Sequence, residues 1–211
     1  GQENMAQVLE NSDNVAMSWI SSLVGAKVER QYYARFGFGA KTGVDLIGES
    51  AGSLQEEKEW NDLLRSTAAF GQGVSVSLLQ LATAYSVVAN GGTLVTPHLT
   101  EKTLDGEQAT ALEYKTRGQV IKPETAKQVQ KMLEDVVLLG HGKRAKVVGV
   151  RVGGKTGTAQ VPDPKGGYYS DRTIGTFAGM FPIDDPRFVM AVRLDNPKTV
   201  KFAESSAAPT F

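Results

Sequence analysis

The stretch Val147-Val148-Gly149-Val150-Arg151-Val152-Gly153-Gly154-Lys155-Thr156-Gly157-Thr158-Ala159-Gln160-Val161 decides how this chain reads. Valines crowd its first half, and β-branched or small residues fill the second. That composition favours extended backbone over helix. Two more runs of the same character follow, Thr173 to Phe181 and Arg187 to Leu194. Asp184-Asp185-Pro186 is a short turn between them. Three successive strands with short connections predict an antiparallel sheet. Gly166-Gly167-Tyr168-Tyr169 reads as a hairpin tip beside it.

Upstream of this sheet the chain reads as helical. Met5, Val8 and Leu9 open an amphipathic pattern that stops near Asn11. Val15, Met17, Trp19, Ile20 and Leu23 mark a second helix ending at Gly25, and residues 26–36 a third. Five glycines between 37 and 54 make that segment a loop. Residues 56–69 read as helix again. Ser75 or Ser77 then caps an apolar helix that ends at Asn90-Gly91-Gly92. Thr93 to Leu104 is β-rich and interrupted at Pro97. Pro123 stands at the first turn of a helix reaching about residue 139, with Met132, Leu133, Val136 and Val137 on its apolar face. Helices and strands are segregated, so the expected class is α+β. The division falls at residue 140, with a mainly helical part at 1–140 and the strands in 141–211.

Composition bounds the chemistry. Lys+Arg and Asp+Glu both number 23, so no charge excess argues for nucleic acid. There is no cysteine, which excludes disulfides and thiol nucleophiles. His98 and His141 are far apart in sequence, and no close ligand cluster suggests a metal. No apolar run reaches the roughly 18 residues that mark a membrane-spanning helix.

Two tripeptides carry the candidate chemistry. Ser12-Asp13-Asn14 lies between the first two helices, and Lys155-Thr156-Gly157 lies in a strand. A hydroxyl and a carboxamide two residues apart can both point into a cleft, one passing a proton and the other bonding a peptide. A lysine on an edge strand can neutralise a carboxylate. Gly157 removes a side chain, so a ligand can approach the strand closely and bind as an added strand. The Thr158 N–H is one such strand donor that can serve an oxyanion. Each motif has a plainer reading. Ser12 and Asp13 suit a helix N-cap, and Lys155 could be a solvated strand lysine. Lys-Thr-Gly also occurs at 41–43, but no β-type run flanks that copy.

The surroundings of the motifs narrow the reading. Phe36-Gly37-Phe38-Gly39-Ala40-Lys41-Thr42-Gly43-Val44-Asp45-Leu46, Gly71-Gln72-Gly73-Val74-Ser75-Val76-Ser77-Leu78-Leu79-Gln80-Leu81-Ala82, Gly153 to Gln160, and Phe177-Ala178-Gly179 with Pro182 stand in a characteristic order. In order and spacing, from about residue 3 to residue 209, the chain resembles the transpeptidase domain of class B penicillin-binding proteins. In that group the pair Ser-x-Asn and Lys-Thr-Gly occurs together with a third motif, Ser-x-x-Lys.

The resemblance implies the penicillin-binding and β-lactamase-like transpeptidase fold, and a peptidoglycan D,D-transpeptidase working through an acyl-serine. Ser12 would relay protons, Asn14 would bond the donor peptide, and Lys155 would support the relay. Thr156, Gly157 and Thr158 would bind the substrate, the two threonines holding its terminal carboxylate. No cofactor is implied. The implied ligands are the peptidoglycan stem peptide and β-lactam antibiotics, in the bacterial cell envelope, with a parent protein anchored by a membrane helix. Ser-x-x-Lys does not occur in the 211 residues. The expectation is therefore a partial domain, cut at both ends, inactive alone and prone to self-association. A non-catalytic relative serving as β-lactam sensor or divisome scaffold is the alternative. A β-lactamase is weaker, because the resemblance to class B penicillin-binding proteins extends widely around both motifs. His141, Trp19 and Trp60 read as structural or solvated residues.

Overall fold

The computed structural model describes residues 2–211. Three helices lead: α1 (Met5–Asn11), α2 (Asn14–Val24) and α3 (Ala26–Arg35). The break between α1 and α2 is built by two side-by-side residues. Asp13 accepts the Ala16 N–H at 2.8 Å and so caps α2. Ser12 closes α1 in the left-handed region, at φ 52 and ψ 45, where its N–H still reaches the Leu9 and Val8 carbonyls. One expected cap thus falls to Asp13, and the Ser12 hydroxyl is left for another partner.

No helix or strand forms between 37 and 54, as the glycine content predicts. The expected helix over 56–69 is divided into a 3₁₀ turn (Glu57–Glu59) and α4 (Asp62–Ala68). Burial of Trp60 and capping by Asn61, which accepts the Leu64 N–H, set the division. α5 (Leu78–Ala89) starts at Ser77 with a capping box: Ser77 accepts from the Gln80 N–H, and Gln80 accepts from the Ser77 N–H. The Gln80 amide also donates to the Ala40 and Ala51 carbonyls, both at 2.8 Å. A fully buried side chain therefore pins the glycine-rich loop to the start of α5.

The chain between α5 and the helix that Pro123 opens holds more strands than the β-rich run Thr93 to Leu104 predicts. β1 (Thr93–Val95), β2 (Lys102–Asp105), β3 (Gln108–Ala111) and β4 (Thr116–Gln119) form two small antiparallel pairs, β1 with β4 and β2 with β3. Every residue of β2, β3 and β4 is exposed, so these strands carry no buried face to print a period-2 pattern on the sequence. α6 (Pro123–Leu138) follows, with its proline in the first turn.

β5 (Gly153–Pro162), β6 (Tyr168–Phe181) and β7 (Phe188–Asp195) make the main sheet, antiparallel and in that order. β6 starts earlier than the apolar run at Thr173, because its first residues project beyond the core. The Val147–Val152 run does not extend β5. It makes a single bridge between Val147 and Val150, and Val148 is fully exposed. A short α7 (Ala207–Thr210) ends the chain.

Both sheet faces are covered. On one, Met180 packs with Val88 of α5, Leu133 of α6 and Ile183. On the other, Phe177 packs with Ala203, Ala207 and Ala208, and its ring lies 4.8 Å from that of Phe211. α6 lies against the start of β5 and gives Leu133 to one cluster and Val137 to the other. α1 packs on α6. That stack of α1 on α6 on β5 brings the residues around position 12 to the sheet.

Candidate active site: a cleft between a helix junction and a strand edge

β5 is an outer strand of the main sheet among the described residues. Which of its backbone groups face outward follows from two bonds. The Thr176 hydroxyl donates to the Gly157 carbonyl at 3.2 Å, so Gly157 faces β6. Lys155 Nζ donates to the Thr156 carbonyl at 3.1 Å, on the open side. In an antiparallel strand the N–H and C=O of one residue point the same way and alternate from residue to residue. Thr156 and Thr158 therefore present backbone donors and acceptors to the open edge.

Ser12 stands across from this edge. Lys155 Nζ donates to Ser12 Oγ at 2.8 Å, joining residues 143 positions apart. The left-handed backbone at Ser12 is uncommon for a residue with a Cβ, and here the hydroxyl it carries meets the lysine. Burial pushes the Lys155 amine down from 10.5 to about 8, because a charged ammonium is poorly solvated there. At pH 7 about a tenth of the molecules then carry the neutral amine. A lysine in that state can both give and take a proton from the hydroxyl beside it.

The cleft between these walls measures about 1080 Å³. Ser12, Asn14, Lys155, Thr156, Gly157 and Thr158 all line it. Asn14, the first residue of α2, is exposed toward the space. The Thr158 hydroxyl accepts the Ala203 N–H at 2.9 Å, which orients it and leaves its own proton to donate to an anion. The second Lys-Thr-Gly lies outside the cleft. Its Thr42 is buried and gives both N–H and hydroxyl to the Glu49 carboxylate, a loop brace.

A family model described as "Penicillin binding protein transpeptidase domain" matches residues 1–211. The chain belongs to the penicillin-binding protein transpeptidase family. Stage V sporulation protein D of Bacillus subtilis is 41% identical over 214 residues, a match that covers 99% of this chain and 33% of the relative. Penicillin-binding protein PbpB of Mycolicibacterium smegmatis is 38% identical, with 97% and 33% covered. The chain thus spans about a third of the length of these curated relatives. Among solved structures, penicillin-binding protein 3 of Mycobacterium tuberculosis complexed with aztreonam superposes with a TM-score of 0.91 at 34% identity, covering 99% of this chain and 49% of that one. The mixed α+β architecture expected from sequence is the one these transpeptidase structures share.

The transpeptidase domain places further residues at the cleft. Phe70, Gly71 and Gln72 line the wall between α4 and α5, and Tyr168 lines it from the β5–β6 hairpin. Phe202 and Glu204 reach it from the segment before α7, and His141 from the loop after α6. Flanking glycines are the only sequence signal at His141, and they read as a solvated loop. In the structure its Nδ1 bonds Glu204 Oε2 at 2.7 Å. No short-range pattern connects positions 141 and 204, so this pair has no signal in the sequence.

Proposed function

We propose that this domain forms the substrate cleft of a peptidoglycan D,D-transpeptidase. The observation that carries the reading is the Lys155–Ser12 bond at 2.8 Å, held at an open strand edge. An extended stem peptide adds to the β5 edge through the Thr156 and Thr158 backbone. Thr156 and Thr158 hold its terminal carboxylate, with Lys155 supplying positive potential. Asn14 bonds the peptide amide from the opposite wall. Ser12 and Lys155 relay the proton that leaves the nucleophilic serine and later reaches the departing D-alanine. The serine attacks the penultimate carbonyl and the terminal amide bond breaks. An acceptor amine then attacks the ester, forming the cross-link and releasing the serine. The Thr158 N–H serves the oxyanion in both steps.

β-Lactams enter the same cleft as carboxylate-bearing analogues of the stem terminus. Relatives crystallised with aztreonam and with ampicillin support that assignment. In this reading residues 1–140 contribute Ser12 and Asn14, and residues 141–211 contribute the Lys155 strand. The 211 residues contain no Ser-x-x-Lys, so the acyl-serine is supplied by a longer protein. That protein works at the extracytoplasmic face of the bacterial envelope. No helix among the described residues is long and apolar enough to cross a membrane.

Fluorescent penicillin tests the proposal. The 211-residue chain is expected to give no covalent band, and the longer protein carrying Ser-x-x-Lys a slowly released one. A stable band on the 211-residue chain overturns the assignment of roles, and no band on the longer protein overturns the activity.

A further inference from the structure

One residue reaches both walls of the cleft. Gly140-His141-Gly142 follows α6. At Gly140 the end of α1 comes so near that an added Cβ would sit 2.8 Å from Glu10 Cα and 2.9 Å from its carbonyl carbon. Only a residue without a side chain allows that approach. The approach lets the His141 N–H donate to the Glu10 carbonyl at 3.3 Å. Glu10 lies two residues before Ser12, on the same helix end.

The side chain of His141 turns to the other wall. Its Nδ1 meets Glu204 Oε2 at 2.7 Å, and opposite a carboxylate it is Nδ1 that carries the proton. Glu204 sits in the 3₁₀ turn Ala203–Ser205. The N–H of Ala203 in that turn holds the Thr158 hydroxyl at 2.9 Å. A continuous path therefore runs from the Ser12 helix end through Glu10, His141, Glu204 and Ala203 to Thr158.

We propose that His141 is a positioning residue that sets the gap between the Ser12 wall and the Thr158 wall of the cleft. Its main chain meets the helix end and its side chain ties that loop to the turn that orients Thr158, so loss of the side chain frees both walls. The pair is about half exposed, with side-chain exposures of 49% and 42%, so it adds little to stability. Its effect is on geometry. It keeps Ser12 and Thr158 at the spacing that a peptide lying along the strand edge meets. That functional meaning rests on the transpeptidase reading, whereas the strut itself does not.

The test uses His141→Ala, His141→Asn and Glu204→Ala in the 211-residue chain. Asparagine keeps a donor near the Nδ1 position. In amide spectra, His141→Ala is expected to move the Ser12 and Thr158 resonances together while the urea midpoint stays nearly unchanged. His141→Asn returns both toward their original positions, and Glu204→Ala moves Thr158 as His141→Ala does. In the longer protein, the rate of acylation by fluorescent penicillin falls roughly tenfold with His141→Ala and recovers with His141→Asn. Resonances at Ser12 and Thr158 that stay in place with His141→Ala or Glu204→Ala overturn the strut. So does movement that His141→Asn fails to reverse. If the spectra behave as expected but the unmutated longer protein never labels, the strut stands and the transpeptidase reading falls.

Discussion

Lys155→Met removes the charge from the centre of the cleft while keeping an unbranched chain of similar length. Well below pH 8 the lysine of the unmutated protein is almost wholly protonated both folded and unfolded, and folding bears nearly the full cost of burying the ammonium. Between about pH 8 and 10.5 the folded chain has released the proton and the unfolded chain still holds it, so stability rises with pH. Above that range the amine is neutral in both states and the cost is gone. The interval from about 8 to 10.5, at about 1.4 kcal/mol per pH unit, gives about 3 kcal/mol between pH 7 and 10.5. At a urea slope of about 2–3 kcal/mol/M, that is about 1 M or more in midpoint.

The assay is urea unfolding, followed by tryptophan fluorescence, of both proteins across pH 6–11. Only the difference between them is read. Tyr33 and Tyr85, whose hydroxyls burial pushes up, make both proteins lose stability above pH 10 and cancel in that difference. The unmutated protein is expected to gain on the variant by about 3 kcal/mol from pH 7 to 10.5. A difference that stays flat to within about 0.5 kcal/mol refutes the desolvated lysine, and with it the proton relay.

Asn14→Ala is expected to leave stability within about 0.5 kcal/mol, because the side chain is exposed. Penicillin acylation of the longer protein should fall at least tenfold, as measured by stopped-flow or gel fluorescence. Ser77→Ala breaks the capping box of α5 and should cost about 1 kcal/mol in urea unfolding. Gly154→Ala places a Cβ 2.5 Å from the Phe177 ring and 2.7 Å from the Ala178 carbonyl oxygen, so β5 and β6 cannot keep their spacing. A loss of about 3 kcal/mol or more, or failure to yield folded protein by circular dichroism, is the expected result.

The sequence determined this protein's elements wherever the signal was local. Pro123 opens α6, Ser77 and Gln80 close on each other across one turn, and the glycines at 37–52 leave that run without helix or strand. Those choices depend on residues three or four positions apart, and the apolar runs of β6 and β7 are likewise visible in one dimension. β3 and β4 left no trace, because fully exposed strands bury no face. The division of labour at Ser12-Asp13 was half legible: either residue could cap, and the fold gave the cap to Asp13. Only the tertiary structure decided the rest. The Ser12–Lys155 bond spans 143 positions and exists because α1 packs on α6 and α6 on β5. The same packing makes one Lys-Thr-Gly a cleft wall and buries Thr42 of the other against Glu49. It also joins His141 to Glu204. Local backbone preference cannot encode such meetings, because they are set by which apolar faces are buried together across the whole chain.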